Sequence, residues 1–317
     1  DVHDIIPAMA QKMKDDDYAY MSEGALVVDV KEESDTKEIP PCMILKSDGA
    51  ALYTTTDLAT IKERMEEYNP DKLIYLTDKR QALHFEQVFR CARKTKLVTP
   101  ETELMHIGFG TMNGKDGKPF KTRDGGVMRL EHLLADINAE MLRKMTEGGK
   151  MDAAEAEATA KVVALSAVKY GDLSNQASKD YVFDIDRFTS FEGDTGPYIL
   201  YTIVRIKSIL AKYVQNGGAL EGITVQAPLT KHQKDLMIEI SKFNAMMEGA
   251  YEECAPHKIC AYIYDLCNAF NSFYHETKIL AEEDETKKAS FIALLVLCKE
   301  ILEACIDVLG FEAPDRM

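Results

Sequence analysis

The chain has 317 residues, 46% of them hydrophobic and 29% charged, with a formal net charge of −15 at pH 7. That length suits about two domains with sizeable cores, and the composition is that of a globular chain rather than a disordered or fibrous one. The longest apolar block, Phe291 to Cys298, falls far short of the roughly 18 residues that a membrane helix needs; the cytoplasm is the default compartment for a chain whose odd cysteine count indicates reduced thiols. The opening Asp1-Val2-His3-Asp4 is unlike the basic start of a secretory leader, and a chain that opens on Asp rather than Met is expected to continue upstream.

In chain order, Ile5, Ile6, Met9 and Met13 predict a helix over residues 1–20 that ends in the cluster Asp15-Asp16-Asp17. Ala25 to Val30 is β-branched and strand-like, and Met43-Ile44-Leu45 is a second short strand before the turn Ser47-Asp48-Gly49. Leu58, Ile61 and Met65 give a helix over 56–68, stopped by Asn69-Pro70. Leu73 to Leu76, a helix over 81–94 and a strand over 104–109 complete a strand–helix–strand alternation. That pattern predicts an open parallel α/β sheet with ligands at the carboxyl ends of its strands. Residues 110–126 read as a loop. From Met128 the pattern turns helical: 128–145, 151–169, 198–214, 230–254, 256–280 and 286–309, with a polar loop over 171–180. The composition shift near residue 145, beside Gly148-Gly149, divides an α/β part (1–145) from an all-α part (146–317) that is expected to fold alone.

Seven cysteines, with no Cys-x-x-Cys pair, indicate reduced thiols and no zinc site. Cys260/Cys267 and Cys298/Cys305 are spaced to lie on helix faces as small apolar residues. Charge is uneven. Between Lys79 and Arg123 ten Lys/Arg face four acids, a local +6 that leaves −21 elsewhere. Such a basic island permits a phosphate site, although it also reads as solvated surface.

An ordered set of motifs then becomes specific. It runs through Ser47-Asp48-Gly49-Ala50-Ala51-Leu52-Tyr53-Thr54-Thr55-Thr56-Asp57-Leu58-Ala59 and Asp71-Lys72-Leu73-Ile74-Tyr75. It continues with Gln81-Ala82-Leu83-His84-Phe85, His106-Ile107-Gly108-Phe109-Gly110 and Lys118-Pro119-Phe120-Lys121-Thr122-Arg123. In the helical part it includes Asp184-Ile185-Asp186-Arg187, Ser190 to Tyr198 (SFEGDTGPY) and the ending Gly310 to Met317 (GFEAPDRM). The set resembles the class I arginyl-tRNA synthetases over nearly the whole chain. The resemblance implies the second half of a Rossmann-like catalytic domain followed by a helical-bundle anticodon-binding domain, the bundle proper starting near residue 195. It also implies ATP-dependent charging of arginine tRNA through an arginyl-adenylate, with magnesium alongside ATP, by an enzyme that is a monomer when complete.

On that resemblance, Asp57 reads the substrate side chain: a guanidinium stays charged and presents a planar fork that a carboxylate meets bidentately. Tyr53 and Gln81 match other arginine-pocket positions. His106, Gly108 and Phe109 line the adenine side of the ATP site, and Lys118, Lys121 and Thr122 cover the phosphates. Lys121 and Arg123 stabilise negative charge in the transition state. Here Pro119 replaces a usual basic residue of that loop. Tyr198 and Arg205, with Tyr201 on the same helix face, are candidates to stack on unpaired anticodon bases. Each residue also has a plainer structural reading: Asp57 as an acid favoured at a helix N-terminus, Tyr53 as a half-buried strand residue, Gln81 as helix surface, and Tyr198 as core.

No His-x-Gly-His signature occurs in the chain. By resemblance it lies upstream, so the chain by itself is not expected to charge tRNA. The competing readings are a non-catalytic tRNA-binding module and a different α/β nucleotide-binding enzyme.

Overall fold

A computed structural model describes residues 2–118, 129–147 and 151–317. Its contacts form two compact units, Asp1–Gly110 and Thr111–Met317.

The first unit opens with helix α1 (Ile6–Asp15). The predicted helix runs to residue 20, but Asp17 takes φ +59°. The amides of Asp17 and Tyr18 then donate to the carbonyls of Lys14 and Met13, a left-handed cap that ends the helix. The released chain forms β1 (Ala19–Ser22) and turns at Glu23-Gly24, both at positive φ, into β2 (Ala25–Val28). A two-residue turn permits only antiparallel pairing. With β3 (Cys42–Leu45) on the other edge of β2, these strands make an antiparallel sheet of order β1-β2-β3 rather than part of a parallel one.

Helix α2 (Tyr53–Tyr68) begins before Thr56 because Thr55 anchors it. The Thr55 hydroxyl accepts the Leu52 amide at 2.9 Å and donates to the Ile44 carbonyl at 2.5 Å. Asn69, at φ +42°, ends α2 ahead of Pro70, as the sequence predicts. Strands β4 (Lys72–Asp78) and β5 (Glu103–Phe109) pair in parallel, in register from Lys72↔Glu103 to Asp78↔Phe109. Helix α3 (Ala82–Lys94) is the crossover that parallel neighbours require, and it buries Phe85, Val88, Cys91 and Ala92. Met9, Leu26, Ile44, Leu58, Ile61 and Val88 knit α1, β2, β3, α2 and α3 into one core.

The second unit carries a short parallel pair, β6 (Met112–Asn113) with β7 (Tyr181–Val182). The rest is helical: α4 (Leu130–Glu147), α5 (Ala153–Leu173), α6 (Ile185–Phe188), α7 (Gly196–Gln215), α8 (Lys231–Ser241), α9 (Phe243–Glu252), α10 (Pro256–Glu276) and α11 (Glu285–Val308). α5 runs through Gly171, expected to open a loop, because the glycine packs under Phe188, whose ring lies 3.1 Å from where a Cβ would sit. The single helix predicted over 230–254 breaks at Lys242, whose amide bonds to the Glu239 carbonyl in the tighter i−3 pattern. Ile137 and Met141 of α4 and Val163 of α5 share one core with Ile199, Leu266 and Leu302. The compact units therefore part at Gly110–Thr111, ahead of the composition shift at 145; Gly148-Gly149 lie outside the described residues. Cys260, Cys267, Cys298 and Cys305 are buried free thiols, and burial raises Cys305 to about 12. Among the described residues no helix is long and apolar enough to cross a membrane.

Candidate functional site

In the first unit the carboxyl ends of β4 and β5 lie side by side, Thr77 opposite Gly108 and Asp78 opposite Phe109. Asp78 ends its strand by accepting the Arg80 amide at 2.8 Å. It also takes the Arg80 guanidinium on both oxygens, at 2.8 and 2.7 Å, which holds its carboxyl near 2. The chain then makes a single 3-10 turn, Lys79–Gln81, and enters α3 with Gln81 exposed at its N-cap. His84 follows one turn later on the same face of α3.

Asp57 and Tyr53 likewise lie one turn apart on α2. Tyr53 is 87% exposed. Asp57 faces α3: its Oδ2 lies 2.6 Å from His84 Nε2. His106 of β5 reaches the Thr77 hydroxyl at 2.9 Å and stacks on Phe85, centroids 4.8 Å apart. Burial, then the nearby His84, lowers its pKa from the usual histidine value. Gly108 is required by the chain itself, since a Cβ there would stand 2.7 Å from Lys79 Cα. Phe109 is 43% exposed at the strand end.

The second unit has its own polar cluster between α7 and α10. The Tyr198 hydroxyl donates to Asn268 Oδ1 at 2.7 Å and accepts from Asn271 Nδ2 at 2.9 Å. Arg205 donates to Asn271 Oδ1 at 2.7 Å, and its guanidinium lies over the rings of Tyr201, at 4.8 Å, and Tyr274, at 5.1 Å. Tyr198 is half-buried, and burial raises its phenol; Tyr201 is exposed. The stretch before α7 is structural in detail. Tyr170, fully buried, donates its hydroxyl toward the Asp194 carboxylate. Thr195 caps α7 by accepting the Tyr198 amide at 3.2 Å. Gly196 lies against the α5 backbone, where a Cβ would stand 2.4 Å from the Ser166 carbonyl oxygen.

A profile of the tRNA synthetases class I (R), catalytic domain, matches residues 2–185, and one of the DALR anticodon binding domain matches residues 199–317. The chain belongs to the class I arginyl-tRNA synthetase family. It is 68% identical to an arginine–tRNA ligase of Agathobacter rectalis and 51% identical to one of Alkaliphilus oremlandii. Each alignment takes in all of this chain and 54% of the relative, so the chain spans about half the length of the curated relatives it matches. A Thermus thermophilus arginyl-tRNA synthetase shares the fold at a TM-score of 0.85 and 21% identity, over 99% of this chain and 58% of that one. One from Plasmodium falciparum does so at 0.81 and 25%, over 99% and 52%.

Within this arginyl-tRNA synthetase frame, the structure brings Tyr53 and Asp57 together on α2 and joins Asp57 to α3 through His84, three residues after Gln81. His106 stands beside this group through Phe85. Lys118 belongs to the second unit, in a turn where its amide donates to Asp116 Oδ1 at 3.1 Å. Lys121, Thr122 and Arg123, with Pro119 and Phe120, lie outside the described residues. The sequence alone gave no role to His84, although it lies within Gln81-Ala82-Leu83-His84-Phe85, nor to Asn268 and Asn271; Tyr274, whose helical spacing reads as core, is instead partly exposed under the Arg205 guanidinium. The polar residues Asn268 and Asn271, three apart within an otherwise apolar helix pattern, were the available signal.

Proposed function

We propose that this chain supplies the arginine pocket, part of the ATP site and the anticodon-binding domain of an arginine–tRNA ligase that works as a monomer in the cytoplasm. The enzyme joins arginine to ATP as arginyl-adenylate, releasing pyrophosphate, and then passes the arginyl group to the terminal ribose of arginine tRNA. Residues 1–145 serve the catalytic domain and 146–317 serve tRNA. The observation that carries this reading is the Asp57 carboxylate: 29% exposed, on α2, and hydrogen-bonded by a histidine of α3. A half-sheltered carboxylate with oxygen lone pairs to spare suits a guanidinium fork. Tyr53 and Gln81 complete the arginine side. His106, Gly108 and Phe109 border adenine, while Lys118, Lys121 and Thr122 meet the triphosphate. Lys121 and Arg123 stabilise the charge that gathers on the reacting phosphorus. ATP is taken with its magnesium as counter-ion of the phosphates. Among the described residues no three His, Cys, Asp or Glu side chains are grouped to hold a metal. Tyr198 and Arg205 contact tRNA.

The test is aminoacylation with ATP, magnesium, tritiated arginine and arginine tRNA, using the chain alone and the enzyme completed to its relatives' full length. The completed enzyme is expected to charge tRNA and the chain alone to fall short by far more than 100-fold, the scale for losing a single preorganised donor. Charging by the chain alone at full rate, or none by the completed enzyme, would overturn the proposal.

A further inference from the structure

A carboxylate on a helix surface samples several rotamers, and a bidentate contact to a planar fork tolerates few of them. Asp57 is restrained on one oxygen. It can only accept, so the 2.6 Å contact requires that His84 donate through Nε2 to Oδ2. His84 is itself held. Its ring meets Phe85 edge-on at 5.0 Å, and Phe85, 3% exposed, stacks on His106 and packs on Tyr75 (4.9 Å) and Phe89 (5.7 Å). His84 is thus fixed to a buried aromatic wall on α3 and reaches across to α2. One donor on Oδ2 leaves Oδ1 and the second lone pair of Oδ2 for another ligand.

From this geometry we infer that His84 is the positioning residue of the guanidinium site: its Nε2–H holds Asp57 in the orientation that receives the substrate fork. The inference rests on the assignment of Asp57 to the arginine pocket. His84 touches no reacting atom; it acts through Asp57 on the recognition of arginine, leaving ATP and the chemical step alone.

The experiment measures arginine-dependent ATP–pyrophosphate exchange in the enzyme completed to its relatives' full length, with KM for arginine and ATP, kcat and Tm. The variants are His84→Phe, His84→Gln, Asp57→Asn and the double variant His84→Phe/Asp57→Asn. His84→Phe keeps the ring and loses the donor. It is expected to raise the arginine KM about tenfold or more, the scale of one lost hydrogen bond to a charged group. The ATP KM, kcat and Tm should stay near wild type. His84→Gln, whose amide nitrogen reaches the same place, is expected to restore the arginine KM to within about threefold. In the double variant the His84 substitution should add little, because its partner is already changed. If His84→Phe fails to fold, His84→Asn, polar but too short to reach Oδ2, takes its place. Two results would overturn the inference while leaving the pocket intact: a raised arginine KM in Asp57→Asn with none in His84→Phe, or equal shifts of both KM values, kcat and Tm in His84→Phe and His84→Gln. An unchanged arginine KM in Asp57→Asn would remove the pocket itself.

Discussion

Replacing Gly196 with alanine isolates the contact on which the helical unit closes. The glycine is the first residue of α7, and an added Cβ would stand 2.4 Å from the Ser166 carbonyl oxygen, 2.6 Å from Ser166 C and 3.0 Å from Ala167 N. These are backbone atoms in the middle of α5, so relief requires one helix to move against the other. Ser166, Ala167, Ile199 and Leu200 nearby are fully buried or nearly so, and any shift disturbs a close-packed core. Overpacking of this kind costs about 1–3 kcal/mol. The better helix propensity of alanine offsets at most about 1 kcal/mol, and less at a first helical position. For a unit of this size each kcal/mol moves Tm by roughly 2–4 °C, so the net cost should make Gly196→Ala melt lower, by up to about 12 °C. Gly249 of α9 is the control: a Cβ there meets only the Lys258 ammonium, at the ordinary contact distance of 3.8 Å. Gly249→Ala should gain about 0.5–1 kcal/mol. Thermal unfolding followed by circular dichroism on both variants decides the matter. A Gly196→Ala chain that melts at or above the wild-type temperature would refute the packing argument.

Two further outcomes follow from other contacts, and a third from the basic motif at Lys121. The Arg90 guanidinium bonds both Asp35 oxygens at 2.7 Å and holds that carboxyl at about 2, below its ordinary 3.8. A depressed carboxyl stabilises the fold above its unfolded value and loses that effect as pH falls through the folded one. Wild type should therefore exceed Asp35→Asn in urea stability at pH 5, and the gap should narrow between pH 3.8 and 2; a gap that stays constant would contradict the pairing. Arg205→Ala frees the Tyr201 and Tyr274 rings from their cation and is expected to weaken arginine tRNA about tenfold in filter binding, near the low end for one stacked base. Unchanged affinity at low and high salt would take Arg205 off the RNA surface. Lys121→Ala should lower the rate of pyrophosphate exchange by about 100-fold in the completed enzyme, with tRNA affinity unaltered; a normal rate would dismiss that lysine.

Much of the fold follows from local chemistry visible in the chain. Asn69-Pro70 stops α2 because asparagine tolerates the left-handed conformation and proline disfavours helix before it. Two short strand-like runs flanking an amphipathic helix gave the parallel pair β4–β5 and its crossover α3. What the pattern concealed depends on single conformations or on distant partners. Met21 and Tyr18 fit a helical continuation as well as a strand, and only the left-handed Asp17 and the Glu23-Gly24 turn decide for β1. The break at Lys242 carries no proline or glycine. α4 and α5 join the C-terminal core through Ile137, Met141 and Val163, an association that spacing along the chain does not encode. Asp57 was legible as a candidate because its motif surrounds it. Its donor His84 lies 27 residues away on another helix, and a pairing of that kind becomes visible only in three dimensions.

The charge of Asp57 is the feature on which the proposed recognition of arginine by this site most directly depends. Asp57→Asn keeps the size of the side chain and removes the carboxylate that the guanidinium is proposed to meet. In the enzyme completed to its relatives' full length, steady-state pyrophosphate exchange should show the arginine KM raised by at least about 30-fold, the lower bound for a charged partner lost at about 2–5 kcal/mol. The ATP KM should remain within about twofold, since the substitution touches one substrate only. An arginine KM that stays at the wild-type value, or one that rises in step with the ATP KM, would contradict the assignment of this site to arginine.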